Sequence, residues 1–253
     1  MFKRAIVRKP SSNIAEGITN AKLGKVDYGN AIRQHQNYIK TLEACGVEVI
    51  DLPAAEAYPD AVFIEDTAIL TPKCAVITRP GADSRTGETK GLEKILKSYY
   101  QHIEQIKSPG TLEGGDVMCV DQHYYIGLSK RTNKAGAEQL IAILNRYGMT
   151  GSTVSMNKML HLKTGVSYLE NDTMLVGGEF IHKPDFAPFN CIEIPENEVY
   201  ASNSIWVNGT VIVPADYPIT KKRIEEAGYS TLETDVSEFR KLDGGLSCLS
   251  LRF

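Results

Sequence analysis

Cys248 stands in the segment Gly244-Gly245-Leu246-Ser247-Cys248, where two glycines permit close approaches and backbone conformations that other residues resist. A cysteine in a folded chain is ordinarily a small core hydrophobe. What sets Cys248 apart is its potential company: Asp60, Phe63-Ile64-Glu65-Asp66, Leu112-Glu113-Gly114-Gly115-Asp116, His161-Leu162-Lys163-Thr164-Gly165 and Asn203. Carboxylates beside a thiol raise its pKa, which serves chemistry only when the substrate itself brings positive charge. A guanidinium fits that requirement. It is planar, permanently charged and rich in N–H donors, so paired carboxylates can hold it while sulfur approaches its central carbon. Any one of these acidic residues taken alone reads as a loop charge that serves solubility. Of the five histidines only His161 opens such a segment. His35 lies on a helical stripe, His102 near a helix end, His123 in a turn and His182 close to Pro184. Arg79, Arg85 and Arg131 follow the second strands of expected hairpins, where they could grip a substrate carboxylate.

These segments are far apart in the chain, so the fold must bring them together. Residues 4–7 read as a strand, 11–27 as a long loop of the kind that often forms a lid, and Ala31, Ile32, His35, Ile39, Leu42 and Cys45 as a helical stripe ended by Gly46. A strand is expected over 47–52. A hairpin motif then recurs, with strands at 68–70 and 75–77, 117–120 and 124–126, 166–169 and 174–176, and 204–207 and 210–213. Asn208-Gly209 is the strongest of their turn signals. Apolar stripes predict helices through Leu92, Ile95, Leu96, Tyr99 and Ile103, through Ala137, Leu140, Ile141, Leu144 and Tyr147, and over 219–227. Prolines 184, 188 and 195 leave one repeat degenerate. The alternation from Leu246 to Leu251 predicts a terminal strand that includes Cys248 and points it with Leu246 and Ser250. The expected fold is α/β: a single domain over 1–253, made of cyclic hairpin-plus-helix units with hairpins inside and helices outside. Its first and last strands close the ring. In such a ring the residues just ahead of each inner strand converge on one axis.

Composition is consistent with this picture. With 42% hydrophobic and 23% charged residues the chain can bury a sizeable core, and a net charge of −3 removes the footprint of a nucleic-acid binder. No signal-peptide pattern or membrane-length apolar run is present, which points to a cytoplasmic protein. Five cysteines without short paired spacing suggest neither a disulfide framework nor a zinc site.

The four motifs around Glu65-Asp66, Glu113, His161 and Cys248, taken in order over the whole chain, resemble the bacterial dimethylarginine dimethylaminohydrolases of the guanidine-modifying pentein superfamily. The resemblance implies a five-bladed α/β propeller that hydrolyses methylated arginines to citrulline and a methylamine, without metal or organic cofactor, as a monomer or homodimer. It further implies that Cys248 is the nucleophile, His161 the proton-transfer residue and Glu113 its orienting partner. Glu65 and Asp66 would hold the guanidinium, Asp60 the α-amino group, and Arg85 and Arg131 the α-carboxylate. Ile18, where the family commonly has leucine, and Leu242 would complete the pocket. Arginine deiminases and amidinotransferases resemble the same plan, but many carry an aspartate where this chain has Lys163. A non-catalytic pentein-fold binding protein is the alternative of a different class.

Overall fold

The computed structural model describes residues 1–253 and contains five three-stranded sheets. The chain begins with β1 (Arg4–Arg8), α1 (Tyr28–Ala44) and β2 (Glu48–Leu52). Strands β3 (Ala68–Leu70) and β4 (Ala75–Ile77), the single-turn α2 (Leu92–Leu96) and β5 (Ile103–Gln105) form the next unit. It is followed by β6 (Val117–Val120), β7 (His123–Leu128), α3 (Lys134–Arg146) and β8 (Thr150–Ser155). In the fourth unit β9 (Val166–Tyr168) and β10 (Thr173–Gly177) lead to β11 (Asn190–Ile194), and two short 3-10 turns replace the helix in the proline-interrupted stretch. The last complete unit is β12 (Ile205–Val207), β13 (Thr210–Pro214), α4 (Pro218–Glu226) and β14 (Ser230–Thr234). The short α5 (Ser237–Arg240) and β15 (Leu251–Arg252) end the chain.

Each sheet repeats one plan. An antiparallel pair, such as β6 with β7, is extended by a parallel third strand, such as β8, reached through the crossover helix. The ring closes as expected: β1 pairs antiparallel with β15, Ala5 opposite Arg252 and Ile6 opposite Leu251, and parallel with β2. Helices pack outside and bury their apolar stripes. Ala137, Leu140, Ile143 and Leu144 of α3 join Ile126 and Tyr124 in one core cluster, while Ala31, Tyr38 and Leu42 of α1 join the residues around Cys248. Asp27 caps α1 by accepting from the Asn30 N–H, and Asn133 caps α3 in the same way through Gly136.

Two expectations are corrected. Ile103 lies on β5 and not on the helix through Leu92, which is a single turn. Cys248 is not on a strand: Ser247–Leu249 form a 3-10 turn, and only Leu251 and Arg252 pair with β1. Leu246, Ser247, Cys248 and Leu249 are all buried, so the alternation there reflects a segment enclosed on every side. No helix is long and apolar enough to cross a membrane.

Candidate active site

Ahead of the inner strands β3, β6 and β9, and just before β15, the chain makes a short 3-10 turn: Ile64–Thr67, Gly114–Asp116, Leu162–Thr164 and Ser247–Leu249. The first of these turns packs against the second and the fourth, and the second against the third. Beside them lies a small cavity whose lining includes Asp60, Asp66, Arg85, Arg131, His161 and Cys248. Ile18 and Leu242 also line it, with Phe63 and Gly244 from the quoted motifs and with Leu160 and Asp243, which the sequence reading did not single out.

His161 is held from behind. Its Nε2 is 2.8 Å from Glu113 Oε2, and Glu113 is wholly buried, its other oxygen accepting from the Gly81 N–H at 3.0 Å and from Arg131 Nη1 at 3.3 Å. Asp66 accepts from the Gly115 N–H at 2.9 Å and from Arg85 Nη1 at 2.6 Å. Gly115 is required by this closeness, because a Cβ there would fall 2.7 Å from His161 Nδ1. Asp116 ends the same Glu-Gly-Gly-Asp motif, and the sequence reading gave it no role. It is buried, accepts from the Leu162 N–H at 3.0 Å and from the Ser129 hydroxyl at 2.6 Å, and adds negative charge beside His161.

Burial disfavours a charged imidazole, but Asp66, Asp116 and Glu113 together outweigh it and lift the His161 pKa to about 9. Burial likewise opposes ionisation of Asp66, and the charges of His161 and Arg85 override it, taking that carboxyl down to about 2. Cys248 goes the other way: burial, then the charges of Glu65 and Asp66, push its thiol up to about 12. The Gly245 N–H, 3.4 Å from Sγ, works in the opposite sense. At neutral pH the site therefore holds a thiol, an imidazolium and an ionised Asp66. An incoming cation would favour the thiolate.

Other expected residues fall into different positions. The carboxylate of Glu65 does not line this cavity. It is bound by Lys163 Nζ at 2.6 Å and by the Ser247 hydroxyl at 2.7 Å, and faces a second cavity running along the inner strands. Adjacent residues thus turn to opposite sides, Asp66 and Cys248 toward the first cavity, Glu65 and Ser247 toward the second. Arg85 does line the first cavity, but most of its donors are committed: Nε and Nη2 to Glu88, Nη1 to Asp66 and Nη2 also to the Phe63 carbonyl. Arg79 lies outside it, with Nη1 on the Gly110 carbonyl. The N-terminal loop is tied to the cavity wall. The Ile18 N–H donates to Asp60 at 3.0 Å, the Asn20 N–H to Asp243 at 2.7 Å, and the Thr19 hydroxyl to the Lys241 carbonyl.

Asp66, Glu113 and His161 bring donor atoms within 4.8 Å of one another, a set that could hold a cation. All three are already engaged with Arg85, Arg131 or each other, so the cluster is electrostatically occupied by protein cations.

Five sheets in a closed ring, with a cysteine, a histidine and buried carboxylates converging on one cavity, define a pentein of the guanidine-modifying class. Residues 14–185 match the family model described as N,N dimethylarginine dimethylhydrolase, eukaryotic. The N(G),N(G)-dimethylarginine dimethylaminohydrolase of Pseudomonas aeruginosa is 52% identical over 100% of both chains, and that of Streptomyces coelicolor is 35% identical over 99% of this chain and 96% of its own. A crystal structure of the Pseudomonas aeruginosa enzyme, a cysteine-to-serine mutant complexed with citrulline, superposes with a TM-score of 0.99 over 100% of both chains at 52% identity. The chain belongs to the dimethylarginine dimethylaminohydrolase family.

Proposed function

We propose that this protein hydrolyses Nω-methylated arginines to citrulline and methylamine or dimethylamine, with Cys248 as nucleophile and His161 as proton carrier. The observation that carries this reading is the convergence of Cys248, Glu113-held His161 and Asp66 on one small cavity. The citrulline complex of the Pseudomonas aeruginosa relative supports the same product chemistry. Asp66 faces the guanidinium, and the cation offsets the negative field that keeps the Cys248 thiol protonated. As the cation binds, the Cys248 thiol gives up its proton to solvent, and the thiolate sulfur forms a bond to the guanidinium carbon while a C–N π pair moves onto nitrogen. The C–N bond to the methylated nitrogen then breaks, its electron pair stays on nitrogen, and imidazolium His161 supplies the proton with which the amine leaves. Neutral His161 takes a proton from water, whose oxygen attacks the S-alkylthiouronium carbon. The C–S bond breaks, its electron pair leaves with sulfur as thiolate, and the remaining hydroxyl proton passes to solvent, leaving the neutral urea group of citrulline.

At the other end of the substrate, Asp60 takes the α-ammonium, exchanging its bond to the Ile18 N–H for it, while Arg131 and the uncommitted Nη1 hydrogen of Arg85 take the α-carboxylate. Lys163, tied to Glu65 on the far side, provides no second carboxylate for an unsubstituted guanidinium, which favours methylated substrates. The protein acts in the cytoplasm on a free small molecule, as a monomer or homodimer. The test is citrulline formation from arginine, monomethylarginine and asymmetric dimethylarginine by the reduced protein. Turnover of the methylated compounds is expected. Turnover of arginine alone would make the protein a deiminase, and no citrulline from any of the three would sink the enzymatic reading.

A further inference from the structure

Asn203 sits just ahead of the inner strand β12, the position that in the other blades bears the candidate catalytic and substrate-holding residues, yet it is absent from the lining of the reaction cavity. It is buried, and its amide is fully directed. Oδ1 accepts from the Ser247 N–H at 2.8 Å, and Nδ2 donates to the Lys163 carbonyl at 2.9 Å and to the Ser247 hydroxyl at 3.1 Å. Ser247 immediately precedes Cys248, and Lys163 is in the 3-10 turn that His161 opens. The Ser247 hydroxyl continues to Glu65, and Glu65 to Lys163 Nζ, so four residues form a closed loop of hydrogen bonds across three turns. The members next to that loop in sequence are Asp66 and Cys248, with His161 two residues from Lys163. Gly245 packs directly on Asn203, where a Cβ would fall 2.6 Å from Cγ.

We propose that Asn203 is a positioning residue that fixes the Cys248 turn against the His161 turn from the side opposite the substrate. This rests on the functional reading above. A single amide that satisfies a backbone N–H on one turn and a backbone carbonyl on the other sets their separation, and a sulfur misplaced by about 1 Å can cost about 100-fold in rate. Because Asn203 does not line the reaction cavity, its loss should leave substrate binding nearly intact.

The test compares wild type with Asn203→Ala and Asn203→Asp. The aspartate keeps an acceptor for the Ser247 N–H but has no donor for the Lys163 carbonyl, and it serves if the alanine protein does not fold. In folded protein, kcat for asymmetric dimethylarginine is expected to fall at least about tenfold with KM within about threefold of wild type. A kcat within about twofold of wild type, or a loss that merely follows the folded fraction, overturns the assignment. A crystal structure of the variant gives a readout independent of turnover. Displacement of Cys248 Sγ from the His161 ring, with the Glu113 contact unchanged, supports the positioning role, and an unmoved Sγ overturns it. A wild-type protein inert toward methylated arginines would sink the functional reading and leave this structural comparison intact.

Discussion

Nε2 of His161 lies 2.8 Å from Oε2 of Glu113, and the carboxylate is wholly buried behind the ring. The contact commits one ring nitrogen to the protein and helps hold the imidazole protonated. Glu113→Gln keeps the volume and removes the charge, so the His161 pKa should fall back from about 9. In the proposed mechanism the amine leaves with a proton from His161, so the alkaline limb of the kcat–pH profile should move to lower pH, and kcat should drop by about 100-fold or more. An alkaline limb that does not move would separate Glu113 from the proton carrier.

Arg85 bridges Asp66 and Glu88 in the interior, at 2.6 and 2.8 Å. Its replacement by leucine would leave two buried carboxylates without their cation. A loss of about 3–5 kcal/mol is expected in urea unfolding, in addition to any loss of activity. A stable Arg85→Leu protein with only a raised KM would show that the arginine serves substrate alone.

His161 also couples stability to pH. Its folded pKa, about 9, lies above the ordinary 6.5, so its stabilising contribution is complete below pH 6.5 and fades as pH rises through about 9. Comparison of wild type with His161→Gln by urea unfolding should give a stability gap on the order of 3 kcal/mol near pH 6 that narrows by about pH 10. A gap independent of pH would mean that the buried imidazole is neutral.

The N-terminal loop should respond to Asp243, whose carboxylate accepts from the Asn20 N–H at 2.7 Å and from the Thr19 hydroxyl at 3.1 Å. Its φ of 59° is left-handed, so Asp243→Gly keeps the backbone while removing both anchors. Faster amide exchange over 18–20 and a rise in KM of about threefold or more are expected, with a smaller change in kcat. Unchanged exchange at these amides would show that the loop is held without Asp243.

The inner hairpins were legible because each couples two apolar runs through a turn signal, and Asn208-Gly209 indeed takes left-handed φ at both residues. Of the parallel third strands only β2 was, as the strand expected over 47–52. Thr150–Ser155 and Ser230–Thr234 each bury a single residue, and such exposed edges carry no alternation to read. Ile103 falls four residues after Tyr99, so an edge strand mimicked a helical stripe. In the site, residue types and motif order located the cysteine, histidine and carboxylates, but not their facing. Glu65 and Asp66 are neighbours in a 3-10 turn and point into different cavities, a distinction set by the Lys163 and Arg85 that each one meets. The role of Asp116 was hidden for the same reason: its partner amide on Leu162 comes from another blade.

Covalent capture of the substrate carbon by Cys248 is the step most directly open to measurement. Protein mixed with asymmetric dimethylarginine, quenched in acid during turnover and analysed by mass spectrometry, should carry a fraction heavier by the substrate minus dimethylamine, localised to the peptide containing Cys248. Cys248→Ser should fold, form no adduct and release no citrulline. A serine variant that produces citrulline at the wild-type rate would contradict the assignment of Cys248 as nucleophile.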